Sequence, residues 1–89
     1  MLLRVKSPVF IDRFSFEFDE PQRSRFKAVL KDDRGSICRA LEAEANNGQQ
    51  VFDWEGLSEL PYGVYTLEIL GASNEMKAKI VKRIWLFVE

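Results

Sequence analysis

The chain is dominated by short runs in which apolar and polar residues alternate. Residues 14–19, 26–31 and 65–69 follow this pattern, and phenylalanine fills the three apolar positions of the first run. A period of two places alternate side chains on one face of a strand, so each run predicts a half-buried β-strand. No segment of the sequence carries apolar residues at helical spacing.

Further strands and turns complete an all-β pattern. Strands are also predicted at residues 3–6, 37–42, 50–54 and 76–88. Turn signals lie at 32–35 and 46–48, where glycines suit a backbone with positive φ. Residues 42–45 are also compatible with a single helical turn, but so short a helix is not stable alone. About seven strands with regular turns predict one domain over residues 1–89, an antiparallel immunoglobulin-like β-sandwich.

Nine large side chains are predicted to fill the structural core, because aromatic and aliphatic residues at such positions usually serve packing. A tyrosine near a strand start can also bury its ring and hydrogen-bond a chain corner through its hydroxyl, which is the expectation for Tyr65. The predicted core residues are Phe14, Phe16, Phe18, Phe26, Leu30, Trp54, Tyr65, Leu67 and Ile69.

Composition argues against an enzyme and against nucleic-acid binding. The net charge is −1, whereas a general nucleic-acid binder carries a clear basic excess. The sequence has no histidine, so the usual general base and the commonest metal ligand are both missing. The acidic residues Asp32, Asp33, Asp53 and Glu55 have no calcium-loop spacing. We therefore expect no catalytic residue, no metal site and no cofactor.

The single cysteine and the N-terminus bear on location. Cys38 has no second cysteine to pair with, and a small hydrophobe in a strand is its expected role. The first apolar run is too short for a signal peptide, and no stretch approaches the roughly 20 apolar residues that span a bilayer. We expect a cytoplasmic protein without membrane insertion if the chain is full length, and a surface or secreted one if it is a fragment.

The predicted last strand is apolar on both faces. After Lys82 and Arg83, one face of this strand carries Ile84, Leu86 and Val88. The other face carries Trp85 and Phe87. A strand of this kind needs cover on both sides, and a small sandwich covers one. Three explanations stand: residues 1–10 fold over Trp85 and Phe87, the patch docks another protein, or the strand pairs between copies. The predicted partner-binding residues are Val81, Lys82, Arg83, Ile84, Trp85 and Phe87.

Four short motifs carry a family resemblance. They are D-x-G at 33–35, F-x-W-x-G-L at 52–57, P-x-G-V-Y at 61–65 and K-x-K-I-V at 77–81. Over residues 12–88 the sequence resembles the immunoglobulin-like domain of the flagellar hook-capping family and the C-terminal sorting domains of type IX secretion cargo in Bacteroidetes. The resemblance implies the sandwich fold. The passenger of sorting domains and the assembly regions of hook-capping proteins do not accompany the motifs, so we expect a different use.

Three functions follow from these observations. The first is a non-catalytic structural or assembly module that binds protein, either further copies of itself or a larger complex, through its terminal strands. The second, implied by the resemblance, is a recognition domain read by a type IX-like export machine. The third is a carbohydrate-binding accessory module, for which Trp54 and Tyr62 are the aromatic candidates.

Overall fold

A computed structural model describes residues 3–6, 9–20, 24–45, 48–71 and 75–82. None of these residues forms a helix long and apolar enough to cross a membrane. The described chain is built from strands, turns and bends. The strands are β1 (Arg4–Val5), β2 (Val9–Phe10), β3 (Phe14–Glu20), β4 (Ser24–Lys31), β5 (Ile37–Ala45), β6 (Gly48–Trp54), β7 (Gly63–Leu70) and β8 (Glu75–Lys82).

The strands form two sheets that pack as a sandwich. Sheet A has the order β1-β3-β6, and sheet B has the order β2-β8-β7-β4-β5. β3 and β6 therefore pair in one sheet while β4, β7 and β8 pair in the other, which is the strand distribution of an immunoglobulin-like sandwich. The predicted all-β sandwich is confirmed.

The strands differ from the prediction in two details. The described residues form eight strands where about seven were predicted, because the N-terminal segment contributes to both sheets. β1 pairs with β3, and the additional strand β2 pairs in parallel with β8. The ring of Phe10 packs 5.2 Å from that of Phe14 in the core, which holds β2 beside β8. The strand predicted at residues 37–42 continues to residue 45, because the ladder to β4 extends to the pair of Ser24 with Ala45.

An aromatic cluster joins the two sheets. On β3, the rings of Phe16 and Phe18 stack on Phe52 of β6, with centroids 5.6 and 5.9 Å apart. Phe26 of β4 crosses from sheet B, and its ring meets Phe52 at 4.8 Å and Phe18 at 5.2 Å in edge-on arrangements. Such pairs contribute about 0.5–1.5 kcal/mol each beyond the burial of their area. The alternating phenylalanines of β3 therefore form the main packing contact between the two sheets.

The core also uses loop residues that alternation cannot reveal. Leu57 and Leu60 lie between β6 and β7, and both are buried. The backbone N–H of Leu57 donates to the carbonyl oxygen of Asp12 at 3.0 Å, which ties this loop to the segment before β3. All nine residues assigned to the core from the sequence are buried in the structure, with exposures of 7% or less.

The β4–β5 hairpin turns through Asp32 and Gly35. The Asp32 carboxylate accepts hydrogen bonds from the backbone N–H groups of Arg34 and Ser36, both at 2.9 Å. Gly35 has a φ of 87°, in the left-handed region that glycine enters at low cost. The predicted turn with a positive φ is confirmed, and Asp32 has a structural role in it.

Tyr65 fastens the corner before β7. Its ring is 3% exposed, and its hydroxyl donates to the carbonyl oxygen of Pro61 at 2.5 Å, four residues upstream. This is the tyrosine corner of immunoglobulin-like sandwiches, and the hydroxyl role expected for Tyr65 is confirmed. Burial, and next the neighbouring Cys38 and Asp32, raise the pKa of Tyr65 above its ordinary value of 10.0.

Tyr65→Phe should destabilise the fold by about 0.5–1.5 kcal/mol, the usual net value of one such hydrogen bond. The ring still fills its place in the core, so the loss reports the bond between Tyr65 and Pro61. Urea unfolding of both proteins measures it, and an unchanged m-value shows that the variant keeps the same fold. Equal midpoints would contradict a stabilising corner.

The stability difference between wild type and Tyr65→Phe should also depend on pH. The folded state keeps Tyr65 protonated above the pH at which the unfolded chain ionises it, so the unfolded state binds fewer protons there. The contribution of Tyr65 is therefore present below a pH of about 10 and is lost as the pH rises through the window above it. Urea midpoints of the two proteins should converge on that alkaline side, and a constant difference would contradict the raised pKa.

Candidate interaction surface

Three valines lie side by side on the outer face of sheet B. The register pairs Val9 of β2 with Val81 of β8, and Val81 with Val64 of β7. Val9 and Val64 are each 47% exposed, and Val81 between them is half-buried. Single exposed apolar residues are ordinary on a protein surface, but adjacent ones form a patch. We call Val9, Val81 and Val64 the valine row.

Polar and aromatic residues border the valine row. Lys79 and Thr66 form the next cross-strand pair along β8 and β7. Tyr62, just before β7, is 68% exposed and lies with Val64 beside the β4–β5 turn. An apolar centre with a polar rim is the usual composition of a protein-binding surface.

The structure separates the predicted partner-binding residues. Val81 lies on the outer face, in the valine row. Lys82 is 4% exposed and follows Ile80 and Met76 on the inner side of β8, so its predicted place on a partner-binding surface is wrong. The strand alternation turns it inward. Arg83, Ile84, Trp85 and Phe87 lie outside the described residues, and their role stays a prediction.

The N-terminal segment already covers part of β8. Val9 and Phe10 pair with Val81 and Lys82, which also pair with β7 on their other side. The backbone of these two β8 residues is thus used within the chain, contrary to the expectation that it would hydrogen-bond to a partner. Leu3 and Val5 pack against the core of the sandwich. Trp85 and Phe87, which residues 1–10 would cover in one of the three explanations, lie outside the described residues.

A buried carboxylate occupies the middle of the same outer face. Glu68 of β7 is 6% exposed, and its Oε2 lies 3.2 Å from Nζ of Lys31 and 3.9 Å from Nζ of Lys77. Beside it, Val29 is 2% exposed although it lies outside the core cluster. The aliphatic parts of long charged side chains can cover such a residue. The alternation of residues 26–31 placed Val29 on this face, but its burial follows from neighbouring strands.

Three other residues that the sequence analysis considered for a functional role have structural partners or are buried. Asp53 accepts a hydrogen bond from the hydroxyl of Ser15 across sheet A. Cys38 is half-buried against the core, and its thiol lies 3.7 Å from the carbonyl oxygen of Ser36. Trp54 is 7% exposed and is unavailable to stack on a sugar, which leaves Tyr62 as the exposed member of the proposed aromatic pair.

Comparison with known proteins leaves the family open. No family model matches this sequence, and the curated proteins give no significant match. The resemblance to hook-capping and sorting domains therefore remains a prediction from the four motifs.

Lys31→Met should destabilise the fold more than Lys77→Met. Lys31 is the closer and less exposed partner of Glu68, and its removal leaves a buried carboxylate short of a charged neighbour. We expect a loss of about 1.5–3 kcal/mol for Lys31→Met. Lys77→Met should cost less than about 1 kcal/mol, as for an exposed pair. Methionine keeps the aliphatic stem in both, and urea unfolding compares them; equal losses would contradict the assignment.

Proposed function

We propose that this chain is a non-catalytic assembly module that binds protein, either further copies of itself or a larger complex, through the surface of its terminal strands. The observation that carries the proposal is the valine row. It places one residue of β2 and one of β8, the first and last strands of sheet B in chain order, next to Val64 in a single exposed patch.

The sequence that follows β8 is also rich in apolar and aromatic residues. Ile84, Trp85 and Phe87 follow Lys82 within five residues, and aromatic residues often dominate the energy of an interface. The valine row supplies aliphatic area at the point where the chain leaves β8. Lys79 and Thr66 at its border supply polar groups that favour one orientation of a partner over others.

Charge supports protein as the ligand class. Lysines and carboxylates alternate on the outer face of sheet B, where Glu68 lies between Lys31 and Lys77. A mixed surface of this kind lacks the single-sign field that phosphate backbones require. The apolar centre of the patch is the part that a protein partner would remove from water.

The double variant Val9→Asp, Val64→Asp should lose self-association. Two carboxylates in the valine row would be desolvated in any interface formed there, and both sites are exposed enough to accept them in the free chain. Light scattering over a concentration series should show the wild type rising above its chain mass of 10.3 kDa and the variant remaining at it.

Leu70→Asp is the matched control for this experiment. Leu70 lies on the same face of sheet B, in the cross-strand row of Lys27 and Glu75, away from the valine row. The control should associate like the wild type. A double variant that associates as strongly as the control would contradict the proposed surface. A wild type that stays monomeric would exclude self-assembly as the form that this binding takes.

A further inference from the structure

The two sheets of the sandwich are unequal, and this leaves one side open. β6 pairs with β3 alone in sheet A, and β5 pairs with β4 alone in sheet B. Phe26 of β4 meets Phe52 of β6 at 4.8 Å, so β4 lies over β6 and β5 extends one strand further out. Among the described strands of sheet A, none lies beneath β5.

Half-buried apolar side chains border this open side. Leu41 and Ala43 are on the inner side of β5, because they pair with the core residues Ala28 and Phe26. Both are half-buried, as is Phe52 on β6. We call the space bordered by Leu41, Ala43 and Phe52 the β5–β6 groove. A strand hydrogen-bonded to β6 would lie about 4.8 Å from it and would cover all three side chains.

β6 has few of the features that protect the edges of sheets, and its one charged residue is Asp53. Gly48–Trp54 contains no proline, lysine or arginine, and its Val51 is 55% exposed on the outer face. β5 differs: its ladder to β4 shifts register between Leu30 and Lys31, and it carries Arg39 opposite the buried Leu30. Bulges and inward-placed charges discourage strand addition. β1 and β2 are two residues long each.

The overhang of β5 limits what can pair with β6. A second copy of the sandwich that paired with β6 edge to edge would bring its own sheet B into collision with β5. A single extended segment brings no second sheet with it. It therefore fits beneath β5 and adds a fourth strand to sheet A. Strand addition of this kind combines backbone hydrogen bonds with pockets for alternate side chains.

We propose that the β5–β6 groove receives residues 83–89 of a second copy of this chain as an antiparallel strand; this rests on the proposed assembly function and names its acceptor site. One alternating set of side chains in this segment, Ile84, Leu86 and Val88, is apolar, and the other places Trp85 and Phe87 between the charged Arg83 and Glu89. One set faces the groove, and the other lies along the outer side of β6, where Val51 is exposed.

Charge selects the register of this pairing. On the outer side of β6, Asp53 and Val51 are exposed two residues apart. Arg83 opposite Asp53 places Trp85 opposite Val51, so an ion pair and an aromatic–β-branched pair form together. The same register directs Ile84, Leu86 and Val88 into the groove. Each copy then offers one terminal segment and one groove, a head-to-tail arrangement that builds chains or rings.

Charge exchange tests the register. Arg83→Glu and Asp53→Arg should each weaken self-association of the 89-residue chain by roughly three- to tenfold, because like charges then face each other. The chain that carries both changes should associate like the wild type when measured by sedimentation or light scattering. Rescue would not occur if Asp53 acted solely through its hydrogen bond with Ser15. Failure of rescue, or a monomeric wild type, would overturn the proposal.

Disulfide trapping gives a second measurement in a Cys38→Ser background. Mild oxidation of a mixture of Asp53→Cys and Arg83→Cys chains should give a covalent dimer, since directly opposed Cα atoms in antiparallel strands lie about 4.5–5.5 Å apart. The matched control mixes Val51→Cys with Arg83→Cys, a diagonal pair about 7–8 Å apart, and should cross-link at least tenfold less. Equal cross-linking of the two mixtures would contradict the register.

The two sets of variants distinguish binding at the β5–β6 groove from binding at the valine row. If Val9→Asp, Val64→Asp abolishes association while charge exchange has no effect, the proposed function stands and the groove is not the acceptor. If charge exchange rescues association and the valine variant associates normally, the groove binds the segment without help from the valine row. If neither set of variants changes association, both proposals are wrong.

Discussion

The cross-sheet packing of aromatic rings is the interaction on which the rest of this structure depends. Phe26 projects from β4 of one sheet into the stack that Phe16, Phe18 and Phe52 form on the other. A domain of 89 residues has a small core, which buries only about 60–65% of the surface its unfolded chain exposes. A few large rings therefore carry much of the packing, and they determine which strand of sheet B lies over which strand of sheet A.

That packing has a consequence at the open side of the sandwich. Because β4 lies over β6, the fifth strand of the larger sheet overhangs, and Leu41 and Ala43 stay half-buried. The same arrangement places the terminal strands together on the far side of sheet B, where Val9 and Val81 become neighbours. The two proposed interaction surfaces thus lie at different ends of the strand order of one sheet, which is the geometry that a building block with two contacts requires.

Polar groups within the fold are arranged around backbone corners and one ion cluster. Asp32 caps the β4–β5 turn, Tyr65 fastens the corner after Pro61, and Glu68 holds two lysines over the outer face. Each of these side chains has a direct structural partner. Asp32, one of the acidic residues noted in the sequence, therefore stabilises local geometry, and the two proposed interaction surfaces consist of apolar side chains and an open strand edge.

The sequence by itself determined the strands and the core. Alternation at residues 14–19 and 65–69 is a local property of strands, so it identified Phe16 and Leu67 as buried without knowledge of any partner strand. Tertiary structure alone decided what depends on distant neighbours. The division of the N-terminal segment between β1 and β2, the burial of Leu57 in a loop and the meeting of Val9, Val81 and Val64 depend on strands that lie far apart in the chain and become adjacent in the fold. No local pattern records that adjacency.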